Sequence, residues 1–228
     1  MTFTVIGRCK RTGMLGIGTS TAAFAVGVRV PFIKERVGAA AIMAIADERL
    51  GPLALRLLDI GYKAPGVIEQ MAIADPYIEY RQLGVLDDDG HGAARTGDMN
   101  KDWSGHRVGD NYVILGNYLT SKQVLVAMER AFLADPDEDL EERLLRSVEA
   151  GRDAGGQHGG QRSAALLVYD TKSFSRVNLR VDIHEEPVAE LRRIFDVYRP
   201  AIPYYDMRQV DPRVMSLDDW LAAHGRGS

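Results

Sequence analysis

The apolar patterns of this sequence come in pairs joined by tight turns, which constrains the fold more than any other feature. Residues 2–8 alternate between two faces, as a strand does. Residues 10–13 then form a hairpin turn in which Gly13 supplies a positive φ, and residues 14–20 return as a second strand. The chain therefore opens with an antiparallel pair.

The same grouping continues along the chain, with helices between the groups of strands. The predicted strands cover residues 2–8, 14–20, 37–45, 81–86, 93–97, 112–119, 163–169 and 177–183. The predicted helices cover residues 47–60, 64–74, 121–134, 140–148 and 188–198. This order lacks the regular strand–helix alternation of a parallel sheet. It predicts an α+β fold, a four-layer αββα sandwich of two antiparallel sheets flanked by helices.

The sequence shows one domain and a C-terminal extension. Its 228 residues suit a single compact domain, and no repeat or linker divides residues 1–198. Residues 199–228 contain Pro200, Pro203 and Pro212 and one short helical pattern at 217–223. We therefore predict a domain over residues 1–198 followed by a proline-containing extension.

Charge and hydropathy disfavour several classes of partner. The net charge is −4, from 28 basic and 32 acidic residues, and no basic face stands out, so nucleic acid and anionic membrane are poor partners. The longest apolar run, 37–46, is about half the length that a membrane helix needs. The chain has one cysteine, Cys9, and no signal-peptide pattern. These features predict a cytoplasmic protein, and we expect a homodimer, the commonest oligomer.

Thr2 is the first candidate for chemistry. The initiator methionine is generally removed when residue 2 is small, which would leave Thr2 with a free α-amine beside its hydroxyl. The amine, with an ordinary pKa of about 8, can take the hydroxyl proton, so one residue supplies both nucleophile and base. The alternative is an ordinary strand threonine, since threonine is common in strands.

Other polar residues stand at the ends of predicted strands. Ser20 and Thr21 end the neighbouring strand, so their hydroxyls are expected at the same cleft. Asn117 ends an apolar strand, where its amide would donate to an oxyanion or simply stabilise a turn. Arg162 and Ser163 lie at the entrance of a buried strand; they would line a pocket or merely begin the strand.

The cofactor and metal motifs are incomplete. Residues 16–18 read Gly-Ile-Gly but lack the third glycine and the helix of a dinucleotide loop, and the glycine-rich segment 155–160 lacks the lysine of a phosphate loop. Residues 87–90 read as a solvated hairpin turn rather than a calcium loop. We therefore expect no cofactor and no metal. His106, within the segment Trp-Ser-Gly-His-Arg, is expected to border a pocket or a subunit contact.

As a set, nine segments resemble the bacterial domain-of-unknown-function family 1028. They are residues 2–8, 13–18, 26–31, 37–39, 51–52, 103–106, 116–119, 154–156 and 163–166. The resemblance covers about residues 2–198. Members are described as similar to N-terminal-nucleophile hydrolases, which implies an αββα sandwich with Thr2 in the nucleophile position. Members commonly carry more charge in the loop before Ser163 than residues 157–162 do here.

Three functional hypotheses follow. In the first, the protein is an N-terminal-nucleophile amidohydrolase acting on a small amide or acyl compound, with Thr2 and Asn117 as catalytic residues. Its substrate-binding residues would be Ser20, Thr21, His106, Arg162 and Ser163. In the second, a non-catalytic protein of the same fold binds a small metabolite or a partner. In the third, the chain is a structural subunit of an oligomer.

Overall fold

A computed structural model of the chain describes residues 1–224. The strands are β1 (Thr2–Arg8), β2 (Leu15–Thr21), β3 (Pro31–Lys34), β4 (Gly38–Ala44), β5 (Arg81–Asp87), β6 (Gly92–Thr96), β7 (Gly105–Gly109), β8 (Tyr112–Asn117), β9 (Ser163–Tyr169) and β10 (Ser175–Val181). The helices are α1 (Val26–Arg29), α2 (Leu50–Asp59), α3 (Ala64–Ala74), α4 (Gln123–Leu133), α5 (Leu140–Asp153), α6 (Pro187–Tyr198), α7 (Ile202–Arg208) and α8 (Leu217–His224).

The strands form two antiparallel sheets. The larger sheet has six strands in the order β10-β9-β2-β1-β8-β7, and the smaller sheet has four in the order β3-β4-β5-β6. Helices α4, α5 and α6 pack on the outer face of the larger sheet, while α2 and α3 pack on the smaller one. The predicted four-layer αββα sandwich is confirmed.

Three apolar layers lie between the four structural layers. One separates the larger sheet from its helices, one lies between the sheets, and one separates the smaller sheet from α2 and α3. Strand β1 shows how alternation assigns the faces, because Phe3 and Val5 point to the helices and Ile6 points to the other sheet. Strand β4 is buried on both faces over Gly38–Met43.

Besides two single-turn 3₁₀ helices at Ile78–Tyr80 and Arg199–Ala201, the structure adds four short elements to the predicted ones: α1, β3, β7 and α7. Helix α1 and strand β3 contain four residues each, too few to show a period in the sequence. Strand β7 lies at the edge of the larger sheet, where its side chains are partly or fully exposed and show no apolar alternation. Helix α7 lies in the proline-containing tail, with Pro203 in its first turn, where proline is compatible with a helix.

The beginning of the predicted C-terminal extension packs against the domain. Ala201, Ile202 and Tyr204 are buried, and α7 contacts β10. Helix α8 has no buried residue. Within the described part of the chain, no helix is both long enough and apolar enough to cross a bilayer.

Candidate functional site

The candidate site begins at the first residue of β1. This strand lies between β2 and β8, so Thr2 pairs with Thr21 on one side and with Asn117 on the other. All three residues are at most 5% exposed. Thr21, which the hairpin predicted to lie near Thr2, and Asn117 are thus both neighbours of Thr2 at one end of the larger sheet.

A short chain of hydrogen bonds connects the Thr2 hydroxyl to the residue before it. Thr2 Oγ1 lies 3.0 Å from Thr21 Oγ1, and Thr21 Oγ1 donates to the Met1 carbonyl over 2.6 Å. Because the single Thr21 hydroxyl proton goes to Met1, the Thr2 hydroxyl donates to Thr21. The backbone N–H of Ala22 also reaches the Met1 carbonyl, at 3.4 Å. The Met1–Thr2 peptide is therefore held by β2 at the position of the predicted nucleophile.

Met1 forms part of the wall of a cavity of about 350 Å³. Asn117, Lys101 and Tyr118 line the same cavity. Burial, followed by the charge of Lys101, lowers the pKa of the Met1 α-amino group below its ordinary value. An amine at this position therefore carries a proton less readily than one in water.

The Asn117 amide is fixed by Gln82, a fully buried residue of β5 in the other sheet. Gln82 Nε2 lies within 2.9 Å of Thr96 Oγ1, 3.0 Å of the Gly105 carbonyl and 2.8 Å of the Gly116 carbonyl. The two carbonyls can only accept, which sets the orientation of the Gln82 amide. Gln82 Oε1 then accepts from Asn117 Nδ2 over 3.0 Å. One Nδ2 hydrogen of Asn117 is used, and one remains for a ligand.

The same chain of hydrogen bonds ends at the predicted residue His106. Its Nδ1 lies 2.9 Å from Thr96 Oγ1, which in turn lies 2.9 Å from Gln82 Nε2. The ring keeps an exposed edge, and partial desolvation lowers the pKa of the His106 imidazole. His106 is thus connected to Asn117 through two side chains rather than placed beside Thr2.

Two residues of the cavity wall have strained backbones. Tyr118 has φ 55° and Ala44 has φ 69°, in the left-handed region that residues with a Cβ rarely adopt. Both line the cavity with Met1. Such conformations persist where the surrounding structure enforces them, and they concentrate at ligand sites.

Ser20 and Ser163 support the neighbouring loop instead of presenting free hydroxyls. Ser20 Oγ donates to the Ser163 carbonyl over 3.0 Å. Ser163 Oγ donates to the Ala23 carbonyl over 2.9 Å and accepts from the Val26 N–H over 3.1 Å. Both serines are fully buried. They hold the segment between β2 and α1 in position.

Arg162 lines a second cavity, of about 690 Å³, with Phe24 and Gly159. Its backbone N–H donates to the Thr21 carbonyl over 2.7 Å, so the residue is attached to the strand beside Thr2. Its exposed guanidinium lies 5.6 Å from the centre of the Phe24 ring. The loop that carries it turns through four glycines with positive φ, which glycine adopts without strain: Gly155, Gly156, Gly159 and Gly160.

A second cluster of polar groups occurs at the turn between β5 and β6. Ligand atoms of Asp87, Asp89 and His91 lie within 4.8 Å of one another. Both Asp87 oxygens accept backbone N–H groups, at 2.9 to 3.4 Å. Asp89 pairs with Lys63. Asp87, which is buried rather than solvated, and Asp89 thus both have partners within the chain.

Two parts of the site were missing from the sequence interpretation. Gln82 stands within an apolar strand, and a buried glutamine in such a run was the signal available. Lys101 lies in an irregular segment before β7, and no pattern in the sequence points to it. A backbone hydrogen bond fixes Lys101 beside the site: the Tyr118 N–H donates to the Lys101 carbonyl over 3.1 Å.

Comparison with solved structures agrees with this architecture. A protein of the family DUF1028 from Silicibacter pomeroyi has 28% identity and a TM-score of 0.82, over 96% of this chain and 92% of that chain. Anbu from Yersinia bercovieri has 9% identity and a TM-score of 0.40, over 94% of this chain and 98% of that one. An Anbu mutant from Hyphomicrobium sp. strain MC1 has 14% identity and a TM-score of 0.42, over 90% of this chain and all of that one. At such TM-scores the Anbu likeness supports no functional argument.

The match to a family model is more specific than the similarity to Anbu. No protein of curated function matches the sequence. The model of DUF1028, described as a family of unknown function, matches residues 2–191, which include every residue of the candidate site except Met1. With the like fold of the Silicibacter pomeroyi protein, this match shows that the chain belongs to the DUF1028 family.

Proposed function

We propose that this protein, once Met1 has been removed, is an amidohydrolase whose nucleophile is Thr2. The observation that carries the proposal is the position of the Met1–Thr2 peptide. Met1 lines the cavity, and the hydroxyl of Thr2 is linked to the Met1 carbonyl through Thr21. Removal of Met1 would turn the nitrogen of this peptide into a free amine beside the cavity.

The chemistry needs only the groups at this end of the sheet and water. The Thr2 amine would take the proton of Oγ1 as that oxygen attacks the acyl carbon of an amide. The second Nδ2 hydrogen of Asn117 would stabilise the oxyanion. The carbon–nitrogen bond would then break, with the amine returning the proton to the leaving nitrogen. Water would release the acyl group from Thr2.

A non-catalytic role is the second candidate. While Met1 is attached, the Thr2 nitrogen is part of a peptide bond and cannot act as a base. The cavity lined by Met1 and Asn117 would then serve only to bind a small molecule. The cytoplasmic location and the homodimer expected from the sequence stay predictions, the second testable by sedimentation.

The intact mass of natively expressed protein decides first between the two candidates. We expect the mass that lacks the initiator methionine. Protein of that mass is then assayed against a panel of short N-acyl and amide compounds. Full-length mass in protein that hydrolyses an amide would overturn the mechanism.

Substitution of Thr2 provides the second test. Thr2→Val keeps the shape and a small second residue but removes the hydroxyl, so turnover should fall by about a thousandfold or more. Thr2→Ser keeps a hydroxyl and should retain measurable turnover. Urea unfolding should show that both variants are folded. Unchanged turnover in Thr2→Val would sink the proposal.

A further inference from the structure

Two cavities lie on opposite sides of the first residue of β1. The cavity with Met1 includes Asn117, the partner of Thr2 on β8. The other cavity includes Arg162, whose N–H bonds to Thr21, the partner of Thr2 on β2. Each cavity is thus connected to one of the two strands that flank Thr2.

Met1 lies between these cavities. It lines the first cavity directly. On its other side, Met1 Sδ lies 3.7 Å from the position that a methyl group on Gly159 would take, and Gly159 lines the second cavity. We therefore expect loss of Met1 to open a groove between the two cavities, beside Thr2.

The two ends of this groove differ in chemistry. Beyond Met1, the first cavity has apolar and aromatic walls from Ile45, Tyr80, Met99 and Tyr118. Tyr80 and Met99 are 42% and 57% exposed, so a ligand that covered them would remove apolar surface from water, which is favourable. Lys101 also lines this cavity, and its Nζ lies 5.4 Å from the centre of the Tyr118 ring. This end suits a flat apolar group.

The other end presents a guanidinium. Among residues 1–224, Arg162 makes no ion pair, whereas Arg192 and Arg199 each pair with two or more carboxylates. Arg162 stacks near Phe24 and keeps its donors exposed. His184 and Glu185 also line this cavity, so one carboxylate of the chain opposes an anionic ligand there. A guanidinium with free donors is a preferred partner of a carboxylate.

We infer that the substrates are N-acyl amino acids, with the apolar acyl group in the Met1 cavity and the carboxylate at Arg162. The inference rests on the proposed function for turnover, but binding can be measured without it. Thr2 Oγ1 would bond to the acyl carbon, and the carbon–nitrogen bond would break. The amino acid would leave with the proton held by the Thr2 amine, and water would release the carboxylic acid.

The test uses Thr2→Ala protein whose mass confirms the loss of Met1. This variant binds without turnover. Benzoylglycine is the acidic probe, and benzoylglycinamide, which has the same shape without the charge, is the matched neutral probe. Calorimetry should show about tenfold tighter binding of the acidic probe, the effect of one charge-assisted contact of about 1.4 kcal/mol.

Four further substitutions in the same background, at Arg162, Glu185, Lys101 and the control Arg193, locate the carboxylate. Arg162→Gln should remove the tenfold preference, and Glu185→Gln should increase it. Arg193→Gln serves as the control, because Arg193 pairs with Glu190 on α6, outside both cavities, and should leave both affinities unchanged.

Each outcome bears on the inference. Equal binding of both probes, or a preference that survives Arg162→Gln, would overturn it. Loss of the preference in Lys101→Gln instead would place the carboxylate at the opposite end and overturn the stated orientation. If the acidic probe binds through Arg162 but unsubstituted protein without Met1 does not hydrolyse it, the ligand class is upheld. Only the proposed function is then rejected.

Discussion

Gln82 joins the two sheets at the candidate site. Its side chain is fully buried and has four hydrogen-bonding contacts, three from its amide nitrogen and one to its amide oxygen. A buried amide is costly unless it is satisfied in this way. Because one of its partners is Asn117, the orientation of the predicted oxyanion donor depends on a residue of the opposite sheet.

Replacement of Gln82 tests this dependence. Gln82→Leu should lower the free energy of unfolding by about 1–3 kcal/mol, because it leaves Asn117 Nδ2 and two carbonyls buried without their partner. Urea unfolding measures the change. Gln123→Leu is the control: Gln123 is exposed at the start of α4, so its replacement should change stability by about 0.5 kcal/mol or less. Equal effects of the two substitutions would contradict the role assigned to Gln82.

At the scale of elements, β2 and α5 approach closely because β2 carries glycines. A methyl group on Gly18 would lie 3.1 Å from the backbone carbonyl of Leu144 and 2.9 Å from a methyl carbon of Val148. The glycines of the Gly-Ile-Gly segment thus serve packing within a strand. This agrees with the sequence interpretation, which rejected a dinucleotide loop there.

A pair of glycine substitutions tests this packing with opposite expected signs. Gly18→Ala should destabilise the protein by about 1–3 kcal/mol, since the backbone of α5 would have to move. Gly66→Ala, in the first turn of α3, would place a methyl group 3.3 Å from the exposed Tyr62 ring, which has room to move, and should stabilise by roughly 0.5 kcal/mol. Thermal and urea unfolding of both variants give the comparison. A tolerated Gly18→Ala would mean that α5 shifts freely on the sheet.

At the scale of the whole molecule, the C-terminal tail contributes to the domain in front of it. Ile202 and Tyr204 are 3% and 4% exposed. Asp206 on α7 pairs with Arg176 and Lys172, which belong to the β9–β10 hairpin. The proline-containing segment therefore begins as a packed part of the sandwich.

Comparing two truncated chains distinguishes the stability contributed by α7 from that contributed by α8. Ending the chain after Tyr198 removes two large buried side chains, and each contributes roughly 1.5–3 kcal/mol, so unfolding free energy should fall by about 3–6 kcal/mol. Ending it after Val210 keeps α7 and removes α8, which has no buried residue, so the loss should be about 1 kcal/mol or less. Similar stabilities of the two truncated chains would show that α7 is dispensable.

The longer elements and the faces of their strands follow from local sequence patterns alone. Alternation in residues 2–8 placed Phe3 and Ile6 on opposite sides of β1, and the structure confirms both. The hairpin grouping predicted two antiparallel sheets with helices outside them. These inferences succeed because the period of an element depends on local geometry, and burial of its apolar face then fixes the layer to which that face belongs.

Apart from Thr21, the neighbours of Thr2 are brought to it by packing between segments that are distant in the chain. The pairing of β1 with β8 joins Thr2 to Asn117, and Gln82 reaches Asn117 from the other sheet. Lys101 arrives on a loop without a pattern of its own. A period tells which face of a strand is apolar but not which distant strand lies beside it, because strand order and sheet stacking are set by packing over the whole chain. The cavities on either side of Thr2 are products of that packing.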